Sequence, residues 1–168
     1  NSFKILSSWK GLAVRELINN KRFNQNDLEK NLQVLRFKIT ASELQDIIES
    51  LLELELIAKD NFGHLKVYDP IETTDDIPVE ALKQNHESTL DLAKTAIRSV
   101  DVKERELQAT CLTIDKTKIM EAKEAIRDFQ IEFAKRFAIT EGFGDETYQF
   151  QTQFYPLTKT EENRGDSL

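Results

Sequence analysis

Thr40-Ala41-Ser42-Glu43 has the Ser/Thr-x-x-Glu form of a capping box, and the apolar residues behind it recur at helical spacing. Leu44, Ile47, Ile48, Leu51 and Leu52 stand at i, i+3, i+4, i+7 and i+8, which predicts a helix with one broad apolar stripe. Two shorter helical segments precede it. Ser7 and Ser8 cap an amphipathic run from Trp9 to Asn20, with Leu12, Ala13, Leu17 and Ile18 at helical spacing. After the polar break Asn24-Gln25-Asn26, residues Asp27 to Gln33 read as a short second helix with Leu28 and Leu32 inward. Two apolar segments, Leu56–Lys59 and Leu65–Tyr68, then flank the turn Asp60-Asn61-Phe62-Gly63 and predict a β-hairpin ended by Pro70. Three helices followed by a hairpin is winged-helix order, with the second and third helices as the helix-turn-helix pair.

Residues 71–77 form an acidic connector, and Pro78 stands where the first turn of a fourth helix begins. That helix is predicted to reach about Ser99 with Leu82, His86, Thr89, Leu90, Ala93 and Ile97 inward. Leu107 to Ile114 reads as a strand. Asp115 caps a long helix with Ile119, Met120, Ile126, Phe129, Phe133 and Phe137 on one side. Between Thr147 and Leu157, Tyr148, Phe150, Thr152 and Phe154 alternate with Gln149, Gln151, Gln153 and Tyr155, the strongest strand pattern in the chain. The two strands pair most simply antiparallel under the helices. Because a two-stranded sheet is marginal alone, a further strand or a covering surface is expected.

The fold class expected is therefore α+β and mostly helical. A winged helix-turn-helix unit (1–70), a linker (71–77) and a small α/β unit (78–158) with a short antiparallel sheet precede a flexible tail (159–168). The chain does not open with Met, which suggests a domain excised from a longer protein. One cysteine, Cys111, permits no intrachain disulfide and suits a reducing cytoplasm. With His64 and His86 far apart, no standard zinc set is expected, and no cofactor. Neither a signal peptide nor a membrane span is legible. There is no Gly-rich phosphate loop, Gly-x-Ser-x-Gly elbow or His-Glu-x-x-His, so an enzyme is not expected.

Charge decides how the winged-helix unit is read. Net charge is −7. Residues 1–70 are neutral and the excess acid falls after them. The helix expected to lie in a major groove carries Glu43, Asp46, Glu49, Glu53 and Glu55, and no Lys or Arg occurs between Ala41 and Ala58. A protein-contact surface, with Glu43, Asp46 and Glu49 at its centre, is therefore expected over direct groove binding. The alternative reading keeps Lys21, Arg22, Lys30, Arg36, Lys38, Lys59 and Lys66 as DNA contacts. The row Gln149, Gln151 and Gln153 is either an edge that adds a partner strand or the wet face of a sheet. Trp9, His86 and Tyr148 are candidate ligand or core positions. Core packing is expected for Trp9 and His86, and burial for Cys111.

Several segments carry a family resemblance: Ser8-Trp9 with Ala13 and Arg15-Glu16-Leu17; Leu51-Leu52-Glu53-Leu54-Glu55-Leu56-Ile57; His86 with Leu92-Ala93-Lys94; Arg105-Glu106; and, most specifically, Tyr148-Gln149-Phe150 through Phe154-Tyr155-Pro156-Leu157-Thr158. Across residues 5–158 the chain resembles the C-terminal domain of unknown function of an uncharacterised bacterial family of transcriptional regulators, whose full-length members carry an N-terminal Cro-type helix-turn-helix. The resemblance implies an upstream DNA-binding module absent from this sequence. It implies no reaction and no ligand. The expected role is regulation or oligomerisation through a homodimer or another protein partner in the cytoplasm. The alternatives are a winged-helix DNA-binding module and a small-ligand sensor with its pocket between the two units.

Overall fold

The capping box forms as the sequence predicts. In the computed structural model, which describes residues 7–67, 79–139 and 141–159, the Thr40 side chain accepts from the Glu43 amide and Glu43 accepts from the Thr40 amide. The order of elements is α1 (Trp9–Leu17), a 3₁₀ helix (Leu28–Gln33), α2 (Ala41–Glu53), β1 (Ile57–Lys59), β2 (Leu65–Val67), α3 (Val79–Ser99), a 3₁₀ turn (Lys116–Lys118) and α4 (Ile119–Phe137). The architecture is α+β with a two-stranded antiparallel sheet, β1–β2. The connector 71–77, Pro70, Pro78, Tyr68 and the tail beyond residue 159 lie outside the described residues.

The chain divides into two units, residues 1–108 with 139–148, and residues 109–138 with 149–168. The first is organised around α2. Leu44, Ile47, Ile48 and Leu51 are buried against Val14 and Ile18 from α1, with Ile39, Ile57 and Leu65 completing the cluster. Ile57 opposite Val67 sets the hairpin register, and Asp60 closes its turn by accepting from the amides of Phe62 and His64. Those two bonds hold the Asp60 carboxyl below its ordinary range, the His64 amide contributing most.

Polar side chains fix the loops of this unit. Asn31 is fully buried, and its amide group bonds both the N–H and the C=O of Asn24. Gln25 does the same for Leu65, so a side chain caps the β2 edge as a neighbouring strand would. Buried Asn20 donates to the Asp145 carbonyl and Thr147, beside a parallel bridge between Asn20 and Gly144. Helix α2 ends in a Schellman arrangement, Leu56 N–H to Leu51 C=O and Glu55 N–H to Leu52 C=O. The left-handed position is held by Glu55 (φ 58°) where glycine is the usual occupant.

Four expectations need correction. The predicted second helix is a 3₁₀ helix of six residues, closed by Asp27, because the buried Asn31 draws its backbone into a tight loop with Asn24. On α3 Thr89 is buried as expected, together with Ala81, while Leu82, Leu90, Ile97 and His86 are exposed. Its small-residue face meets α1, where Ser88 Oγ accepts from the Trp9 amide; the larger side chains would hold the helices apart. Residues 107–114 and 147–157 form neither helix nor strand among the described residues, because neither segment has a ladder partner there. Cys111 is consequently exposed rather than buried.

The second unit keeps its helix and has no buried core among the described residues. Asp115 accepts from the Thr117 amide and hydroxyl, which holds its carboxyl below the usual range and starts the turn leading into α4. Phe129, Phe133 and Phe137 line one side of α4, as the spacing predicts, and the Phe150 ring stacks on Phe133 at 4.5 Å. None of the described residues of this unit is buried.

Candidate interaction surface

Two surfaces follow from this architecture. The first is the outer face of α2. With Leu44, Ile47, Ile48 and Leu51 turned inward, Asp46, Glu49 and Glu53 stand in solvent, and Glu43 is half-buried. No basic residue lies on the helix. Glu43 is tied to Lys10 Nζ at 2.5 Å and to the Thr40 amide, and these bonds lower its pKa to about 2, with the Lys10 bond contributing most. Glu49 accepts from Gln45. The face is therefore anionic across the physiological pH range, so a phosphate-lined groove would repel it.

Most of the candidate DNA contacts are engaged with acids. Lys21 pairs with Asp145 at 2.8 Å, Arg22 with Glu146 at 2.6 Å, Lys30 with Asp27 at 3.1 Å, Arg36 with Glu104 at 3.2 Å, and Lys66 with Asp60 at 3.6 Å. Lys38 and Lys59 are exposed and make no ion pair among the described residues. Exposed pairs are individually weak and can exchange partners. Their consequence is that each of the five paired cations sits beside a compensating carboxylate, which brings the local field there closer to neutral.

The second surface belongs to the unit containing α4. Phe129 (57% exposed), Phe133 (37%), Phe137 (58%) and Met120 (58%) leave much of the helix uncovered. On the segment 149–157 of this unit, Phe154, Tyr155 and Leu157 are also exposed. Of the row Gln149, Gln151 and Gln153, the middle residue is half-buried and the outer two are exposed. Gln149 Nε2 donates to the Phe150 carbonyl, and no backbone–backbone hydrogen bond from residues 149–155 is made among the described residues. Large apolar side chains exposed in this number make the unit a candidate interaction surface.

The single positions fall on different sides of these expectations. Trp9 is half-buried on the core cluster with its ring edge-on to Phe37 at 6.1 Å, a packing role. His86 and Tyr148 are both exposed, and the structure brings neither to Trp9 as a shared site. A shallow recess between the 3₁₀ helix and the start of α2 is lined by Leu28, Glu29, Ala41, Ser42, Leu44 and Gln45. Among the described residues no three His, Cys, Asp or Glu side chains converge as a metal site, and no helix is long and apolar enough to cross a membrane.

Periodicity did not identify Asn20, Gln25 and Asn31 as anchors, nor the exposed Leu82, Leu90 and Ile97. The clue to the anchors was available: three amide side chains stand in a loop stretch with little apolar content, where backbone groups need side-chain partners.

Comparison with known proteins gives one result. A family model described as "Domain of unknown function (DUF4423)" matches residues 1–157. No curated protein and no solved structure matches the chain.

Proposed function

The chain belongs to the DUF4423 family of domains of unknown function, and from that premise we propose that it is a regulatory and oligomerisation domain of a bacterial transcriptional regulator, acting by protein–protein contact. The observation that carries this reading is the uncovered aromatic side of α4 together with residues 149–155, which make no backbone ladder among the described residues. In the proposal, α1, the 3₁₀ helix, α2 and the hairpin form a winged-helix unit whose acidic outer face has been turned from nucleic acid to protein. DNA is then held by an upstream helix-turn-helix module in the same regulator, and the state of this domain sets how two such modules are spaced.

A winged helix that touches DNA itself is the second reading. Lys38 and Lys59, without acidic partners among the described residues, are what favour it. The two readings separate by fluorescence anisotropy of labelled duplexes of different sequence titrated with the chain at physiological salt. The protein-contact reading expects binding no tighter than about 1 μM and no sequence preference, the behaviour of non-specific association. Tighter, sequence-selective binding that weakens steeply with salt and is lost in Lys38→Ala/Lys59→Ala would overturn it.

A further inference from the structure

We propose that residues 149–155 form an intermolecular antiparallel β-ladder with the same residues of a second copy of this chain, with the two-fold axis at Thr152. The inference rests on the protein-contact reading and names its partner.

Three observations converge on a second copy. The first is the segment itself, Gln149-Phe150-Gln151-Thr152-Gln153-Phe154-Tyr155, which is nearly a palindrome about Thr152. An isologous interface requires that residue i meet residue j and j meet i. In antiparallel pairing centred on Thr152, Phe150 stands opposite the partner copy's Phe154, and Gln151 opposite its Gln153. The aromatic pair falls on one face and the amide pair on the other, so both faces match without any other sequence being supplied. Phe150 already lies against α4, stacked on Phe133 at 4.5 Å and edge-on to Phe129 at 6.2 Å. The second copy's Phe154 would be delivered beside it, on the part of α4 that is now uncovered.

The second observation is charge. Residues 109–138 and 149–168 hold eight Lys or Arg and eight Asp or Glu, so the whole −7 resides in the other unit. Two copies can therefore meet through this unit without net repulsion, whereas the acidic face of α2 would repel its own copy.

The third is area. Ten large apolar side chains of this unit are between 37% and 76% exposed. At roughly 200 Å² for a full aromatic side chain, they offer on the order of 1000 Å² per copy, against about 800 Å² per partner in a stable interface. The backbone also gains, since the 149–155 amides and carbonyls acquire the ladder they lack among the described residues.

Disulfide trapping in the complete chain tests the register. Directly opposed residues have Cα atoms about 4.5–5.5 Å apart, within disulfide reach. Thr152→Cys in a Cys111→Ser background is expected to oxidise to a covalent dimer. Tyr155→Cys in the same background is expected to stay uncrosslinked, because six residues of strand separate its two copies by about 20 Å. Mixing Gln149→Cys with Tyr155→Cys protein is expected to restore the crosslink. Light scattering on the Cys111→Ser chain should give twice the 19.4 kDa chain mass, and Phe154→Asp should weaken the dimer at least tenfold while leaving helical circular dichroism in place. A monomer by light scattering, or a dimer that crosslinks at residue 155 and not at 152, overturns the proposal. A wrong crosslinking register leaves self-association standing; a monomer removes it and leaves contact with a different protein, which fails only on duplex binding.

Discussion

Helices α2 and α4 are built from similar local instructions. Each is entered through a polar side chain that accepts from backbone amides, Thr40 for α2 and Asp115 for the turn before α4, and each carries a row of large apolar residues on one side. Their surroundings differ completely. On α2, Leu44, Ile47, Ile48 and Leu51 meet α1, Ile39 and the hairpin and are removed from water. On α4, Phe129, Phe133 and Phe137 meet one another and Phe150, and remain partly exposed. Amphipathic periodicity thus specifies that a face needs cover, but not that the same chain supplies it. The first unit spends its apolar residues on its own stability. The second leaves them partly exposed.

The largest effect should come from the packed helix. Leu51 is fully buried, so Leu51→Ala should destabilise the first unit by about 3 kcal/mol through lost burial and a residual cavity. Chemical denaturation followed by circular dichroism should show this loss unchanged over a hundredfold range of protein concentration. Phe129→Ala on α4 should instead act mainly at concentrations where copies associate, since its ring is over half exposed in the single chain. Equal, concentration-independent losses for the two variants would abolish the contrast between the units.

The next effect concerns how loops are held. Asn31→Ala removes a fully buried side chain and leaves the Asn24 amide and carbonyl without their partner. A loss of about 2 kcal/mol is expected, with faster amide exchange at Asn24 as its local signature. No residue of the second unit is buried in this way among those described, so a polar-to-alanine series there should stay within about 0.5 kcal/mol at low concentration.

A gain is expected at Glu55. It occupies a left-handed position at the end of α2 with φ 58°, and Glu55→Gly relieves that backbone at some cost in chain entropy. The net stabilisation should be about 0.5–1 kcal/mol, read as a rise in melting temperature.

What could be read beforehand follows the range of the forces involved. The Thr40–Glu43 box, the Asp60 turn and the Phe spacing of α4 are set by residues within a few positions of one another, and they form as the pattern predicts. The buried face of α3 depends on a distant partner. Periodicity places Leu82, His86, Leu90 and Ile97 inward along with Thr89, yet of these only Thr89 is buried, and the close approach to α1 adds Ala81 and Ser88 instead of the larger residues. Residues 107–114 and 147–157 failed as strands for a related reason: alternation at 147–157 would set which side chains share a face, but a ladder requires a second edge. Of the candidate site, the acidic face of α2 was legible in composition alone. The pairing of Lys21 and Arg22 with Asp145 and Glu146 was not, because more than a hundred residues separate the partners in sequence.

The smallest effect compares the two helix entrances by pH. Glu43 has an ordinary pKa of 4.5, lowered to about 2 by the Lys10 bond first and the Thr40 amide next. A carboxyl held below its unfolded value stabilises the folded state above pH 4.5, and that contribution is lost as pH falls toward about 2. Glu43→Gln keeps the hydrogen-bonding shape of the box and removes the charge. Because the Glu43 side chain is 41% exposed, solvent screening reduces the effect to roughly 0.5 kcal/mol near neutrality. The wild-type and Glu43→Gln melting curves should converge as the pH approaches 2. Asp115 is likewise held below its ordinary range, by the Thr117 hydroxyl first and the Thr117 amide next. Asp115→Asn should speed exchange of the Thr117 amide without moving the main unfolding midpoint, since the helix it opens is tied to no buried core. If both substitutions shifted that midpoint equally, α4 would have to unfold together with α2, and the division between a self-sufficient unit and one completed by a partner would fail.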